Sequence, residues 1–322
     1  MKRILLLFTL FFTILSANSY SADDVNIVFV HIGPVIPPYA HDAIQQAHLF
    51  NPEGDIYMLG NQTALDQFND PYAIQIALES LSPTHDHQRF IKIYCVPDGL
   101  FRFSMERFFY LDEFINLFDL HDVFHLEYDN MLYVDLKSLL LLFRKYTPTL
   151  GGTFDNDGRC VPGFVYVSGS EAIRDLASFI GKNSQRSYND MEMLAYYKNC
   201  TRKKGIDHLP IIHISYASEN KLLSPMGHVA KNPHDYSRHV DEFDSIFDAA
   251  AIGQYLGGTD PNHTVSKPGF INESCVFNPE KLTYIWEADD CGRLIPYAIY
   301  KEEKRRINNL HVHCKNLKQF AS

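Results

Sequence analysis

The sequence predicts an α/β fold: a single domain with a mostly parallel central sheet flanked by helices. Two observations predict it. Apolar runs rich in β-branched residues, Val25–Ile32 (VNIVFVHI) foremost, read as strands buried on both faces, as in a parallel sheet. Segments with helical apolar spacing alternate with such runs through the first half, which is the order of successive βα units. The chain has 322 residues, 46% hydrophobic and 21% charged. That is ample for one core and excludes a disordered or fibrous chain. A net charge of −10 argues against a nucleic-acid partner bound by phosphate neutralisation.

In order along the chain, Val25–Ile32 is the first strand, ended by Gly33-Pro34. Tyr39–Phe50 is a helix with Ala43, Ile44, Ala47 and Leu49 or Phe50 on its apolar face. Asp55–Leu59 is a second strand stopped by Gly60-Asn61, and Phe90–Val96 (FIKIYCV) reads as a third. The polar stretch before it, with His85 and His87, reads as a solvated loop. Arg102–Phe118 is an aromatic-rich helix. Val123–Val134 holds a fourth strand and its exit, and Leu136–Tyr146 is a helix. In the second half, Gly163–Ser168 is a strand, Glu171–Ile180 a helix, and Asp190–Tyr197 the start of another. Leu209–Ile214 is a strand, Phe243–Leu256 is helical near its end, and Leu310–Cys314 is a short late strand. No repeat or low-complexity linker divides the chain.

The N-terminus reads as a targeting segment. Lys2 and Arg3 precede an apolar run, Ile4–Leu15, and small residues follow to Ser21-Ala22. A positive start, a short apolar middle and a small-residue end describe a secretory signal over residues 1–22, with an uncleaved anchor as the alternative; a comfortable membrane span needs ~20 apolar residues. Residues 23–322 then form the domain, in the secretory pathway or exported: an endoplasmic reticulum or Golgi lumen in a eukaryote, outside the cytoplasm in a bacterium. No other stretch is long and apolar enough to span a bilayer. The 6 cysteines all follow the signal, so disulfides are expected, Cys275–Cys291 first. Sequons at Asn61, Asn199, Asn262 and Asn272 would accept glycans in a eukaryotic secretory pathway.

The most informative segment is Val123–Tyr133 (VFHLEYDNMLY). Glu127 and Asp129 are two apart at the end of an apolar strand, so their side chains share a face and can converge on one cation. In an open parallel sheet, ligands bind at the carboxyl ends of strands. A carboxylate pair there suits a divalent metal held against a diphosphate. Near the end of the chain His311, His313 and Lys315 alternate, and in a strand they would share one face. A third segment, Phe243–Pro261 (FDSIFDAAAIGQYLGGTDP), places Asp248 and Gln254 among small apolar residues, with Gly253, Gly257 and Gly258 around them.

The acid-x-acid pair, reached after three βα units, resembles the Asp-x-Asp motif of GT-A fold glycosyltransferases, whose Rossmann-like domain uses nucleotide sugars. The late His-x-His-x-Lys run is similar to the part of that fold that completes the metal site and touches the donor diphosphate. Runs like FDAAAIGQYLGG also occur in glycosyltransferase-like proteins. The resemblance implies a metal-dependent transferase, hexosyl or related, moving a sugar from a nucleotide-diphosphate donor to a hydroxyl on a glycan, lipid or protein. It implies Mn²⁺ or Mg²⁺ held by Glu127, Asp129, His313 and the alternate His311. Lys315, Arg107, Gln254 and the first strand's exit, His31 and Gly33, would meet the donor. Asp190 or Asp248 would serve as a base. Removing Asn309–Ser322 should then stop turnover and leave most of the sheet folded. Two rivals share the fold: an exported sugar-binding or interaction protein without turnover, and a nucleotide-sugar phosphohydrolase.

Overall fold

The computed structural model describes residues 24–94, 99–201, 205–262 and 267–322; the expected signal segment, Cys95 and Val96 lie outside them. At its centre is a seven-stranded sheet in the order β3-β2-β1-β4-β7-β6-β8. β1 (Asn26–His31) is buried at every residue, as its continuous apolar run requires. It is flanked in parallel by β2 (Asp55–Gly60) and β4 (His121–Leu126). β3 (Ile74–Ala77) extends the β2 side in parallel. β7 (Arg159–Gly169) pairs antiparallel with both β4 and β6 (Leu150–Asn156), and β8 (Ile206–His208) lies parallel to β6. β7 is thus the strand that runs against the rest. Because successive strands move outward from β1 and then cross to its other side, β1 and β4 flank a switch point. Their carboxyl ends open a crevice there.

The main helices cover the sheet: α1 (Ala40–Phe50), α2 (His85–Ile93), α3 (Gly99–Phe118), α4 (Leu140–Tyr146), α5 (Ser170–Lys182) and α6 (Asp190–Cys200), with the shorter α7 (Ile214–Glu219) and α8 (Ile252–Gly257) in the second half. α3 buries Met105, Phe108, Phe109, Leu111, Phe114 and Ile115, and also Glu106, Arg107, Asp112 and Glu113. A helix buried nearly all round needs partners for such charges. α6 opens with a capping box: Asn189 accepts from the Glu192 amide, and Glu192 accepts from the Asn189 amide.

Two smaller sheets close the C-terminal half. β10 (Thr283–Ala288), β11 (Leu294–Tyr300) and β12 (Glu303–Ile307) form a meander, joined by β9 (Ser245–Ile246). β5 (Asn130–Leu132) pairs antiparallel with β13 (Asn309–His311), with His311 opposite Asn130. That ribbon brings the end of the chain to the carboxyl end of β4. Among the described residues no helix is long and apolar enough to cross a membrane.

Four expectations are corrected. Phe90–Ile93 is helical, because Thr84 caps α2 by accepting from the His87 amide at 3.2 Å and Phe90 packs into the core; the third strand is the short edge strand Ile74–Ala77. His87 is not solvated but wholly buried, 2.8 Å from Glu113 and 3.3 Å from Glu106. Leu209–Ile214 is extended but leaves the sheet after the Leu209 amide donates to the Gly152 carbonyl, and Ile214 begins α7. Cys275 is buried whereas Cys291 is exposed in the β10–β11 turn. Both are free, as are Cys160, Cys200 and Cys314. Of the sequons, Asn272 is buried and its amide is spent on Ala250 and Ser274.

Candidate metal and donor site

The site is built where β4, β5 and β13 meet. Asp129 lies just beyond β4, and its backbone carbonyl accepts from the Val312 amide at 2.7 Å. That bond and the β5–β13 pairing place His311 beside it. His311 Nε2 is 3.2 Å from both Glu127 Oε2 and Asp129 Oδ1. The His311 and His313 rings lie 4.6 Å apart. Lys315 Nζ donates to Asp129 Oδ2. The three late residues converge by a turn rather than by strand alternation. β13 ends at His311, the Lys315 amide donates to the Val312 carbonyl, and Lys315 adopts a φ of 60°.

Asp129, His311 and His313 each offer a ligand atom, and these atoms lie within 4.8 Å of one another. One carboxylate oxygen and two imidazole nitrogens form a donor set that suits Mn²⁺ better than a cation demanding oxygen alone. Two of the three protonation states fit such an ion. At His311 burial would lower the imidazole, but Asp129 and Glu127 outweigh it and raise the group, so a bound cation would take the place of a proton there. Burial would raise the Asp129 carboxyl, but Lys315 and His311 outweigh it and hold Asp129 well below the usual carboxylate range. Burial, then the neighbouring His311, pushes His313 down to about 4, so its imidazole is neutral at pH 7. His311 Nδ1 is buried without a hydrogen-bond partner.

Glu127, expected as a ligand, falls outside the convergent set. Its Oε1 accepts from Arg107 Nη1 at 2.5 Å and its Oε2 faces His311. Arg107 is also not free to meet a donor. It is 7% exposed, and its Nη2 donates to Asp190 Oδ2 at 2.6 Å. Burial is the larger influence on both carboxyls. It raises Asp190 despite Arg107, while at Glu127 Arg107 and His311 overcome it and lower the carboxyl. Arg107 therefore ties α6 to the β4 exit through two carboxylates.

Neither expected base is free. Asp190 is spent on Arg107. Asp248 is 1% exposed, and its carboxylate accepts from the Ala251, Ile252 and Gly253 amides at 2.8 Å and the His311 amide at 3.0 Å. Gln254 is buried in α8, with its backbone carbonyl accepting from Gly258.

His31 ends β1 on the other wall of the crevice. Its Nδ1 is 3.3 Å from the Tyr128 hydroxyl, and its Nε2 is buried without a partner. Gly33 is fixed next to it by donating to Asn61 Oδ1 at 2.8 Å. Tyr39 and Tyr128, which the sequence reading passed over, complete this wall. Their rings are 5.9 Å apart, and Lys315 Nζ sits 5.7 Å over Tyr39. Burial pushes the Tyr39 hydroxyl up to about 12, so it stays protonated. An open groove of about 590 Å³ runs from Tyr39 and Lys315 along His41, Asp42 and Lys318. A second concavity, about 440 Å³, lies at the opposite, amino-terminal edge of the sheet among Asn26, His121 and Arg144, away from this chemistry.

The fold and site thus define an α/β protein with a carboxylate–imidazole cluster at the carboxyl edge of its parallel strands. The solved structures similar to this chain include glycosyltransferases. Mouse xyloside xylosyltransferase 1 in its apo form is 10% identical, over 61% of this chain and 90% of its own, with a TM-score of 0.42. The galactosyltransferase LgtC in complex with donor and acceptor sugar analogs is 15% identical, over 57% of this chain and 73% of its own, with a TM-score of 0.38. Streptococcus pneumoniae GlyE is 14% identical, over 57% of this chain and 44% of its own, with a TM-score of 0.35. Neither a family model nor a curated protein matches the sequence.

Proposed function

We propose that the chain is a metal-dependent glycosyltransferase, moving a sugar from a nucleoside-diphosphate donor to an acceptor hydroxyl on a glycan, lipid or protein. One observation carries this reading: Asp129, His311 and His313 converge within metal-ligand range at the carboxyl edge of the parallel strands, with Lys315 beside them. A bound Mn²⁺ or Mg²⁺ would supply Lewis-acid stabilisation of the charge that builds on the departing diphosphate. Asp129 and the two imidazoles would hold it. Lys315 offers a point charge to phosphate oxygens, and Asp129 keeps its ammonium aimed and protonated. His31 can present Nε2 to the ligand when Tyr128 orients its Nδ1. Tyr39 and Tyr128 give aromatic faces for planar or apolar parts of the donor. Glu127, Arg107 and Asp190 fix the floor.

The experiment is a panel of uridine and guanosine diphosphate sugars incubated with Mn²⁺, with and without glycan acceptors. Donor turnover that vanishes with a chelator supports the reading; failure of every nucleotide to bind in the presence of Mn²⁺ overturns it. We also propose that residues 1–22 are a cleaved secretory signal. Mass spectrometry of secreted protein should then find a mature N-terminus near Asp23, and an intact Met1 on membrane-bound material would show an anchor instead.

A further inference from the structure

We infer that Asp248 is a positioning residue for the metal site, acting through the backbone of His311. The inference rests on the proposed role of His311 as a ligand. β13 is only three residues long, so pairing with β5 fixes His311 weakly by itself. Asp248 adds the missing constraint. Its Oδ1 accepts from Ala251 and Ile252, and its Oδ2 from Gly253 and His311. One carboxylate therefore joins the first turn of α8 to the His311 amide, all of it buried. The Asp248 amide donates to Asn309 Oδ1 at 3.2 Å, and Asn309 Nδ2 donates to Asn130 Oδ1 at 2.9 Å, so the same loop also holds the start of β13.

Gly253, whose amide is held by the same carboxylate, packs on the His311 carbonyl. A Cβ built there would stand 2.1 Å from the His311 carbonyl oxygen, so no other residue fits without moving the strand. The His311 backbone is thus fixed at its N–H by Asp248, at its C=O by the contact with Gly253, and along its edge by Asn130. With the backbone fixed, Nε2 stands 3.2 Å from both Glu127 and Asp129. Groups that orient ligands from outside the coordination sphere are worth about 10–100-fold in metal affinity.

The test is Asp248→Asn in the full chain. The amide keeps the shape but turns one acceptor into a donor facing backbone N–H groups. Mn²⁺ binding, read from the free-ion resonance, should weaken by about 10–100-fold, and turnover should recover most of its rate at saturating Mn²⁺. A crystal structure of the variant should show His311 displaced from Asp129. Unchanged Mn²⁺ affinity with turnover lost at every Mn²⁺ concentration would mark Asp248 as a base and overturn the inference. So would an unmoved His311. Gly253→Ala shifts the same backbone without touching the carboxylate and should weaken Mn²⁺ binding in the same direction. If Asp248→Asn does not fold, wild-type affinity in Gly253→Ala overturns the inference, and failure of both variants to fold assigns the loop a purely structural role. Absence of Mn²⁺ binding by the wild-type chain would instead sink the metal reading, while the displacement of His311 still judges the clamp.

Discussion

Asp129 is where opposing demands meet most sharply. A carboxylate that is 6% exposed is costly to bury, and Lys315 and His311 are what keep it charged. It holds them in turn, so removing this side chain costs stability as well as a ligand. Asp129→Ala leaves the Lys315 ammonium without its carboxylate and His311 with Glu127 alone, and breaking a buried pair costs about 3–5 kcal/mol. Asp129→Asn keeps the volume and is the cleaner test. Calorimetry with uridine or guanosine diphosphate and Mn²⁺ should show metal-dependent binding lost, with a folded circular-dichroism spectrum; unchanged affinity would remove Asp129 from the metal site. Gly163 is a second critical position. A Cβ there would lie 2.6 Å from His311 Nδ1 and 2.8 Å from Asn130 Nδ2, both rigidly held. Gly163→Ala should cost about 1–3 kcal/mol by overpacking, visible in a thermal melt, and should weaken Mn²⁺ binding. A wild-type melt would show that the ring yields freely.

At the scale of elements, the contact of α2 with α3 carries a titratable lock. His87 sits between Glu106 and Glu113, wholly buried, with its ring stacked on Phe109 at 5.0 Å. Burial lowers its pKa, but the two glutamates outweigh burial and raise it to about 9. The unfolded value is near 6.5. The folded state therefore binds the extra proton between these values. The stabilisation is fully present below about pH 6.5 and is lost as pH rises through about 9. The melting temperature should fall across that window, and His87→Gln should flatten the fall. A wild-type protein with a flat profile from pH 6.5 to 9.5 would refute a protonated His87. Thr84 belongs to the same lock. Its hydroxyl caps α2, and its amide donates to Glu113 at 2.9 Å.

For the molecule as a whole, the C-terminal segment is both site and core. Leu310, Val312, Leu317 and Phe320 are buried, the Tyr133 hydroxyl donates to the Phe320 carbonyl, and Ser322 bonds to Gln46 on α1. Removing Asn309–Ser322 should therefore unfold much of the domain rather than only stop turnover. Far-UV circular dichroism and a melt of the truncated chain would decide this; a native-like spectrum with a sharp transition would show the tail to be dispensable for folding. His313→Ala and Lys315→Ala are the informative probes of function, because neither side chain belongs to the apolar core.

The sequence by itself determined the sheet's centre and the chemistry to be placed there. The continuous β-branched run of β1 can only be satisfied by burial on both faces. The spacing of Glu127 and Asp129 put two acids at the end of β4, but they sit in a turn closed by the Asn130 amide on the Glu127 carbonyl rather than on one face of an extended strand. The helices that begin near Glu171 and at Asp190 followed from local periodicity, whereas Ile214–Glu219 was not read as a helix. FIKIYCV misled because alternation in so short a stretch also fits a helix capped by Thr84 and anchored by Phe90. Tertiary structure alone decided which polar groups are ligands and which are supports. Asp190 and Asp248 look like free acids in sequence, yet one faces Arg107 from across the fold and the other is filled by four amides. The Arg107–Asp190 pair and the His311 amide on Asp248 join residues far apart in the chain, whereas the other three amides on Asp248 come from the turn that follows it. The convergence of His311, His313 and Lys315 on Asp129 depends on β13 crossing to β5 and on a turn with a positive φ, and no local pattern encodes a pairing over that separation.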